Sequence, residues 1–434
     1  GGNQESEAAN GLFKCCLRFP EMKHAKEWGS LGFARLTKNT LRTIRPDGIC
    51  REPAAGYHGM MTATLGEGVA AAKKAGFEVP KEVWSRLEGM LNWQAYSMQP
   101  DGQVPAYGDS DSNALDSKDA WQGIRRDAIK GSKLFDRPDW LYIGTAGKEG
   151  TPPTRTAHWW PDSKYFVSRS DWNGETFQDA RYIFYKAGVG GSHGHNDLGE
   201  IVVYAYNRPL IIDPGRTTYG TSLMEQLTRS ESHSICIVDG REAQKADAKV
   251  YRVAMNPSLD LADVSHPEQY PGIEVRRAAM YVRGDTPGTD YWVVFDNLLG
   301  APGATRRFDQ QFWLTPPAVT VNPRTSVVST NHATGGNLDL IPVETDGISV
   351  KQRNGQMDAG GVRDDIPVIS FRKEQAAPCS FTTILFPYPA GQTRPELTVR
   401  QVSAGAAKAF IVDGGNWADC VIYNLDSDPN RLND

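Results

Sequence analysis

Much that would assign this chain quickly is scarce in it. Its 434 residues hold only six cysteines, Cys15, Cys16, Cys50, Cys236, Cys379 and Cys420. That is too few for a disulfide scaffold, and none forms a Cys-x-x-Cys metal motif. The neighbours Cys15 and Cys16 read as helix-packing residues, and spacing leaves a Cys379–Cys420 pairing open. Neither sign of charge dominates: 47 Lys and Arg against 52 Asp and Glu give a formal charge of −5. This excludes the global basic field that gathers nucleic acid, so an acidic ligand needs a local basic patch. No apolar run approaches the roughly 18 residues of a membrane span. The opening GGNQESEAAN holds neither a Met nor a signal-peptide core, so the start is expected to have been processed, trimmed or left out. His-Glu-x-x-His is missing as well, which removes the commonest zinc-protease motif.

What is present divides in two, and a chain of this length is expected to form two or three domains. Apolar residues fall near helical spacing at Met22, Ala25, Trp28 and Leu31, through Met60 to Ala72, and at Val83, Leu87, Met90 and Leu91. Turn clusters at Arg45-Pro46-Asp47-Gly48, Gly76 to Pro80 and Pro100-Asp101-Gly102 break them into helical hairpins, suited to an α/α toroid or bundle. From about Tyr165 the period becomes two. IVVYAY (201–206), LIID (210–213), SICIVD (234–239), YWVVFD (291–296) and FTTILF (381–386) predict antiparallel strands of a β-sandwich, with a hairpin at Asn207-Arg208-Pro209. The expected boundaries are a helical domain over 1–145, a linker over 146–155 and a sandwich over 156–434.

The densest group of reactive side chains is GGSHGHNDLGEIVVYAYNRPLIIDPGRTTYG. His193 and His195 project from one face if the segment is extended. Asp213 follows one hairpin later, and His233 opens the next strand in ESHSICIVDG. Two imidazoles and a carboxylate from adjacent strands, with one water, suit a tetrahedral zinc site. The competing reading is that Asp213 caps the turn before Pro214-Gly215 and the histidines lie on the surface.

HGHND before a strand, then RPLIIDPG and a His-Ser-hydrophobic-Val-Asp-Gly run, resembles the signature of the heparinase II/III family, as does IRPDGICREPAAGYHGM in the helical half. The resemblance implies an α+β multidomain fold: an (α/α) toroid-type helical domain, here incomplete, followed by an antiparallel β-sandwich. It implies a polysaccharide lyase that cleaves uronate-containing chains by β-elimination. Heparin or heparan sulfate is the first choice of substrate and alginate the second. His195, Asp213 and His233 match the zinc ligands, His193 the histidine facing the cleft, and Tyr57 the catalytic acid/base. Asn3, or Gln4 beside it, takes the place of the group that neutralises the substrate carboxylate, which implies that earlier toroid helices are missing. Gln4, His58, Tyr107, Arg229 and Tyr219 make up the expected substrate-binding set. The resemblance also implies a periplasmic or secreted protein without nucleic-acid partner or membrane span; oligomeric state is left open, a homodimer included.

Removing the weakly acidic proton beside a uronate carboxylate requires that the carboxylate's charge first be offset. A phenol titrates near pH ~10, so a tyrosine base needs neighbouring positive charge or hydrogen bonds to its oxygen. Tyr57 would take the proton, or His193 would take it from the other face, and the Tyr57 hydroxyl would then protonate the leaving oxygen. Arg51 and Arg169 are further anion-binding candidates, and Trp159, Trp160 and Trp172 suit either sugar stacking or core packing. A glycoside hydrolase would use paired carboxylates instead, drawn from Asp109, Asp111 or Glu52. A noncatalytic carbohydrate-binding protein is the other rival.

Overall fold

The computed structural model describes residues 2–111, 120–188, 191–317, 319–394, 396–402 and 407–425. Six helices come first: α1 Asn3–Arg18, α2 Ala25–Thr43, α3 Ala55–Lys74, α4 Lys81–Tyr96, α5 Ala120–Phe135 and α6 Pro138–Gly144. They pack largely on their sequence neighbours, α1 on α2 and α3, α4 on α3 and α5, α5 on α6. The α4 stripe Val83, Leu87, Met90 and Leu91 is buried. Of the stripe expected in α2 only Ala25 is buried: Trp28 and Leu31 are exposed, and the helix buries Gly29, Gly32 and Leu36 beside it. The reason is close approach. A Cβ on Gly32 would stand 2.8 Å from the Phe13 nitrogen and 3.0 Å from the Ala9 carbonyl of α1, so small residues define the contact face.

Four antiparallel sheets follow among the described residues, of five, eight, four and three strands. The five-stranded sheet is a meander of Ala157–Trp160, Tyr165–Arg169, Tyr182–Lys186, Glu200–Ala205 and Arg208–Ile211. Its last hairpin turns at Tyr206 and Asn207, both at positive φ (49° and 60°) as a type I′ turn requires, one residue before the expected Asn207-Arg208-Pro209. Pro209 is tolerated because this last strand is an edge.

The five-stranded sheet lies inside the molecule. One face packs with Ile49, Ala55, Trp93 and Tyr107 of the helical half through Trp160, Tyr165 and Phe184. The other joins a core shared with the eight- and four-stranded sheets, including Ile201, Trp292, Val294 and Phe312. Its three middle strands are therefore buried on both faces, and their sequences are correspondingly apolar. The opposite face of the eight-stranded sheet meets the three-stranded sheet through Phe295, Phe410 and Tyr423. The sheet region thus contains a sandwich with an added outer layer. Among the described residues none between Gly144 and Ala157 is helical or extended, yet polar ties cross this segment. Asp47 accepts from the Ser163 backbone (2.7 Å) and hydroxyl (3.0 Å), and the Tyr182 hydroxyl donates to the Ser97 carbonyl at 2.7 Å.

All six cysteines are free thiols, so Cys379 and Cys420 do not pair. Cys16 is buried against α2, whereas Cys15 is exposed and does not pack as expected.

Candidate active site and metal centre

Three segments converge at the junction of helices and sheets. Tyr57 stands in the first turn of α3, whose start is held by the Gly56 N–H donating to Ser110 Oγ at 3.0 Å and by the Ser110 hydroxyl donating to the Tyr107 carbonyl at 2.7 Å. The 107–111 loop also receives the Arg216 N–H at the Ser110 carbonyl, 2.9 Å. It passes so close to both neighbours that a Cβ on Gly108 would lie 2.4 Å from the Pro53 carbonyl oxygen and 2.7 Å from that of His193. Gly108 itself has φ +64°, a region L-residues avoid. The third segment, 191–195, is a turn and not extended, because His193 takes φ +64°. His193 and His195 nonetheless reach one place. A non-glycine residue in this backbone region stores strain, which the 2.8 Å bond from the Asp109 N–H to the His193 carbonyl helps hold.

Asp109 organises the site. Its Oδ2 accepts from His193 Nδ1 at 2.8 Å and from the Tyr219 hydroxyl at 2.9 Å, and its Oδ1 lies 3.1 Å from His195 Nε2. Burial pushes its carboxyl up, but the hydrogen bonds from His195, His193 and Tyr219 outweigh that and hold it at about 2. The Tyr219 hydroxyl is raised by desolvation and by its bonds to Tyr57 and Asp109. Since Tyr219 spends its one hydrogen on Asp109, Tyr57 is the donor in the 3.0 Å Tyr57–Tyr219 bond. The Tyr57 ring stacks on His193 with centroids 3.9 Å apart and planes 18° from parallel. The Arg216 guanidinium lies 5.2 Å from the Tyr219 ring centroid.

Behind this wall lie His195, Asp213 and His233, all buried, their ligand atoms within 4.8 Å of one another. Asp213 caps the turn, as the competing reading expected, and keeps one oxygen free. Its Oδ1 caps the turn by accepting the Gly215 N–H at 2.9 Å, while its Oδ2 finds no hydrogen-bond partner. His195 Nδ1 and both ring nitrogens of His233 are likewise buried without hydrogen-bond partners. His233 Nδ1 is 3.4 Å from Glu200 and 3.5 Å from Asp213, distances too long for good hydrogen bonds. Buried polar atoms left unpaired are costly, and a cation among them would satisfy several at once. Two imidazoles and a carboxylate, with His195 backed by Asp109 on its other nitrogen, fit the donor set and outer shell of a zinc-type site. His233 follows a 3-10 turn and lies three residues before its strand rather than opening it.

Residues 1–126 match the heparinase II/III N-terminus model, and residues 152–409 match the heparinase II/III-like C-terminal model. The chain belongs to the heparinase II/III family. No curated protein matches it significantly. Among solved structures, the heparan sulfate lyase HepC from Pedobacter heparinus superposes with a TM-score of 0.84 at 20% identity, covering 98% of this chain and 67% of that one. A mutant of the same lyase gives 0.84 at 20% identity, covering 96% and 65%. A structure of heparinase III gives 0.85 at 18% identity, covering 98% and 68%. The chain therefore spans about two thirds of the length of these structures, and the likeness establishes the heparinase II/III fold of helices followed by antiparallel sheets.

Within this heparinase II/III fold the expected residues separate. Tyr57, His193, His195, Asp213, Tyr219 and His233 come together as described. His58 does not face a ligand: it is 1% exposed, its Nε2 lies 3.1 Å from the Met90 carbonyl, its Nδ1 accepts from the Cys50 N–H at 3.4 Å, and its ring packs on Trp93. Burial lowers it to about 4, so it serves as a neutral core residue. Tyr107 is also core, 1% exposed and stacked on Phe184. Arg229 is exposed and lines a separate concavity on the four-stranded sheet. Asn3 is buried at the start of α1 and Gln4 is exposed; the cap residue is Gly2, which faces Glu52. Arg169 is internal, its guanidinium 3.8 Å from the Trp172 ring centroid. Trp160 and Trp172 are core residues.

Sequence reasoning missed three members. Asp109 was considered only as a hydrolase carboxylate, Glu200 not at all, and Arg216 not at all. The single available signal was the Glu200 carboxylate at the head of the otherwise apolar strand EIVVYA.

Proposed function

We propose that this protein is a polysaccharide lyase that cleaves a uronate-containing chain by β-elimination, with a glycosaminoglycan of the heparan sulfate type favoured and alginate second. The observation that carries the reading is the stacked Tyr57–His193 pair anchored on Asp109. His193 donates from Nδ1 to the Asp109 carboxylate, which leaves Nε2 as the lone-pair nitrogen and makes it the candidate base. Tyr57 carries a hydroxyl hydrogen, which it would turn from Tyr219 toward the leaving glycosidic oxygen. Stacked rings 3.9 Å apart leave no room for a sugar between them, which supports base and acid sharing a face, whether His193 or Tyr57 itself takes the proton, over attack by His193 from the opposite face. This favours uronates whose C5 proton and C4 oxygen lie on the same side of the ring, as in glucuronate. Asn3, buried at the start of α1, is the candidate for offsetting the substrate carboxylate on the family resemblance alone, and the Arg216 guanidinium beside Tyr219 is paired with Asp111 at 2.7 Å.

Zinc would be held by His195, Asp213 and His233, where it supplies a fixed positive charge and a cross-link between loops. Asp109, shared by His195 and His193, would transmit that rigidity to the base. On such a substrate the protein would act in the periplasm or outside the cell; no helix among the described residues is long and apolar enough to cross a membrane.

A hydrolase needs one protonated carboxyl and one ionised one; Asp109, held at about 2 by three donors, cannot supply the former. The deciding experiment is incubation with heparan sulfate, alginate and related uronans while following ultraviolet absorbance of the C4–C5 unsaturated product. Absorbance growing on at least one of them is expected. Binding without any gain, unaltered in Tyr57→Phe, would instead establish the noncatalytic carbohydrate-binding reading.

A further inference from the structure

The four-stranded sheet, ordered Ser349–Asp358, Val362–Gln375, Arg306–Trp313 and Cys236–Val238, has one face inside the core and one toward solvent. Strand register places Lys351 opposite Ser370, Arg353 opposite Val368, and Arg372 between Ser349 and Asp309. With Arg229, Arg241 and Arg307 these cations line a concavity of about 240 Å³ on that face. Six cations thus meet only three carboxylates, Glu231, Glu242 and Asp309, in a chain whose net charge is −5.

The carboxylates do little to neutralise the outer rim. Asp309 is shared by Arg372 at 2.7 Å and Arg307 at 3.2 Å. Glu242 points back to the Ser230 N–H and the Asn196 amide, both at 3.0 Å. Arg353 is fixed by the Glu231 carbonyl and lies 5.4 Å from the Trp313 ring centroid. Among the described residues the side chains of Arg229, Arg241 and Lys351 form no hydrogen bond or ion pair. Like charges gathered this way repel and cost stability unless something anionic sits among them.

The surroundings select the kind of anion. The only large apolar side chains in the lining are Ile237 and Val368, both buried, so nothing is offered for insertion into a bilayer. No aromatic face is presented for base stacking, since Trp313 is buried beneath Arg353. Lys351 and Arg353 stand about 6.6 Å apart along one strand, with Arg372 on the neighbouring strand, and planar guanidinia suit carboxylate and sulfate oxygens. The loop from Arg229 leads in four residues to His233 of the candidate metal cluster, so the face neighbours the site in sequence while lining a concavity of its own.

We propose that this sheet face is a secondary, noncatalytic site for a linear carboxylated or sulfated polysaccharide, engaging a stretch of chain beyond that held at Tyr57. The choice of ligand rests on the lyase reading. The test uses the full chain in a Tyr57→Phe background, with and without Arg241→Gln and Lys351→Gln, and measures calorimetric binding of long heparan sulfate chains and of a hexasaccharide at low salt. The double change should raise Kd for long chains about tenfold and leave the hexasaccharide unaffected. Lys351→Gln alone should give about threefold, which covers the case in which the double variant folds poorly. With Tyr57 intact, KM for long chains should rise at constant kcat. An unchanged Kd for long chains overturns the proposal. So does an equal loss of affinity for duplex DNA or for phosphatidylserine vesicles, which would mark a generic polyanion patch. If no uronan yields unsaturated product, the lyase reading fails, while the heparan sulfate binding comparison still decides this site.

Discussion

Asp109→Asn keeps the shape of the residue at the centre of the site and removes its charge. In the protein, Oδ1 serves His195 while Oδ2 serves both His193 and Tyr219. An amide has one acceptor side, so one of these positions must receive an NH₂ group. With the NH₂ toward His193 and Tyr219, two donors lose their acceptor. With it toward His195, the Nε2 there must accept, which moves the ring proton to Nδ1, the buried atom left without a protein partner. Either way at least one charge-assisted hydrogen bond is lost, about 1.5–3 kcal/mol, or roughly ten- to a hundredfold in a rate or an affinity. The second orientation directs that loss to metal binding, where disturbing a ligand's outer partner costs about 10–100-fold. The assay compares kcat/KM, metal content after dialysis, and thermal midpoints across pH. Because the Asp109 carboxyl is depressed to about 2, its stabilising contribution is present above the unfolded carboxylate range near pH ~4 and is lost as pH falls toward ~2. The difference in midpoint between protein and variant should be constant near neutrality and close across that acid window. A variant with unaltered turnover, unaltered metal content and a superimposable acid limb would refute the reasoning.

Tyr57→Phe should lower kcat by about 10²–10⁴ with little change in hexasaccharide binding, whereas Tyr219→Phe, which leaves Tyr57 in place, should cost less; equal effects in steady-state kinetics would contradict the roles assigned. Elemental analysis should find about one zinc per chain, absent in His195→Ala, and chelation should lower the thermal midpoint; zinc-free protein with an unaltered melt would reject the metal assignment. Gly108→Ala should destabilise by about 1–2 kcal/mol from its positive φ alone and more from contact with the Pro53 and His193 carbonyls, seen as a lower denaturant midpoint with reduced turnover.

How far the sequence reveals all this depends on the range of the interaction. His195, Asp213 and His233 were legible because their residue types are rare and their spacing follows strands and turns. Asp109 was not, since its partners lie 84, 86 and 110 residues away and nothing local marks a carboxylate in PAYGDSD. Tyr57 and His58 show the opposite difficulty. They are neighbours in the motif, yet one helical step turns them about 100° apart, so one reaches the site and the other enters the core. Trp28 and Leu31 suggested a buried stripe by hydrophobicity, but backbone proximity at Gly32 decided which face of α2 lies inside.

The five-stranded meander has a consequence for heredity. Because it is covered by helices on one side and by the large sheet on the other, its side chains answer to two neighbours at once. A substitution at Phe184 or Tyr165 is judged by the helical half, and one at Ile201 by the sheets beyond. Relatives should therefore exchange these halves by recombination only rarely, and a chimera joined near residue 150 would need the meander's helix-facing residues to travel with the helices they cover.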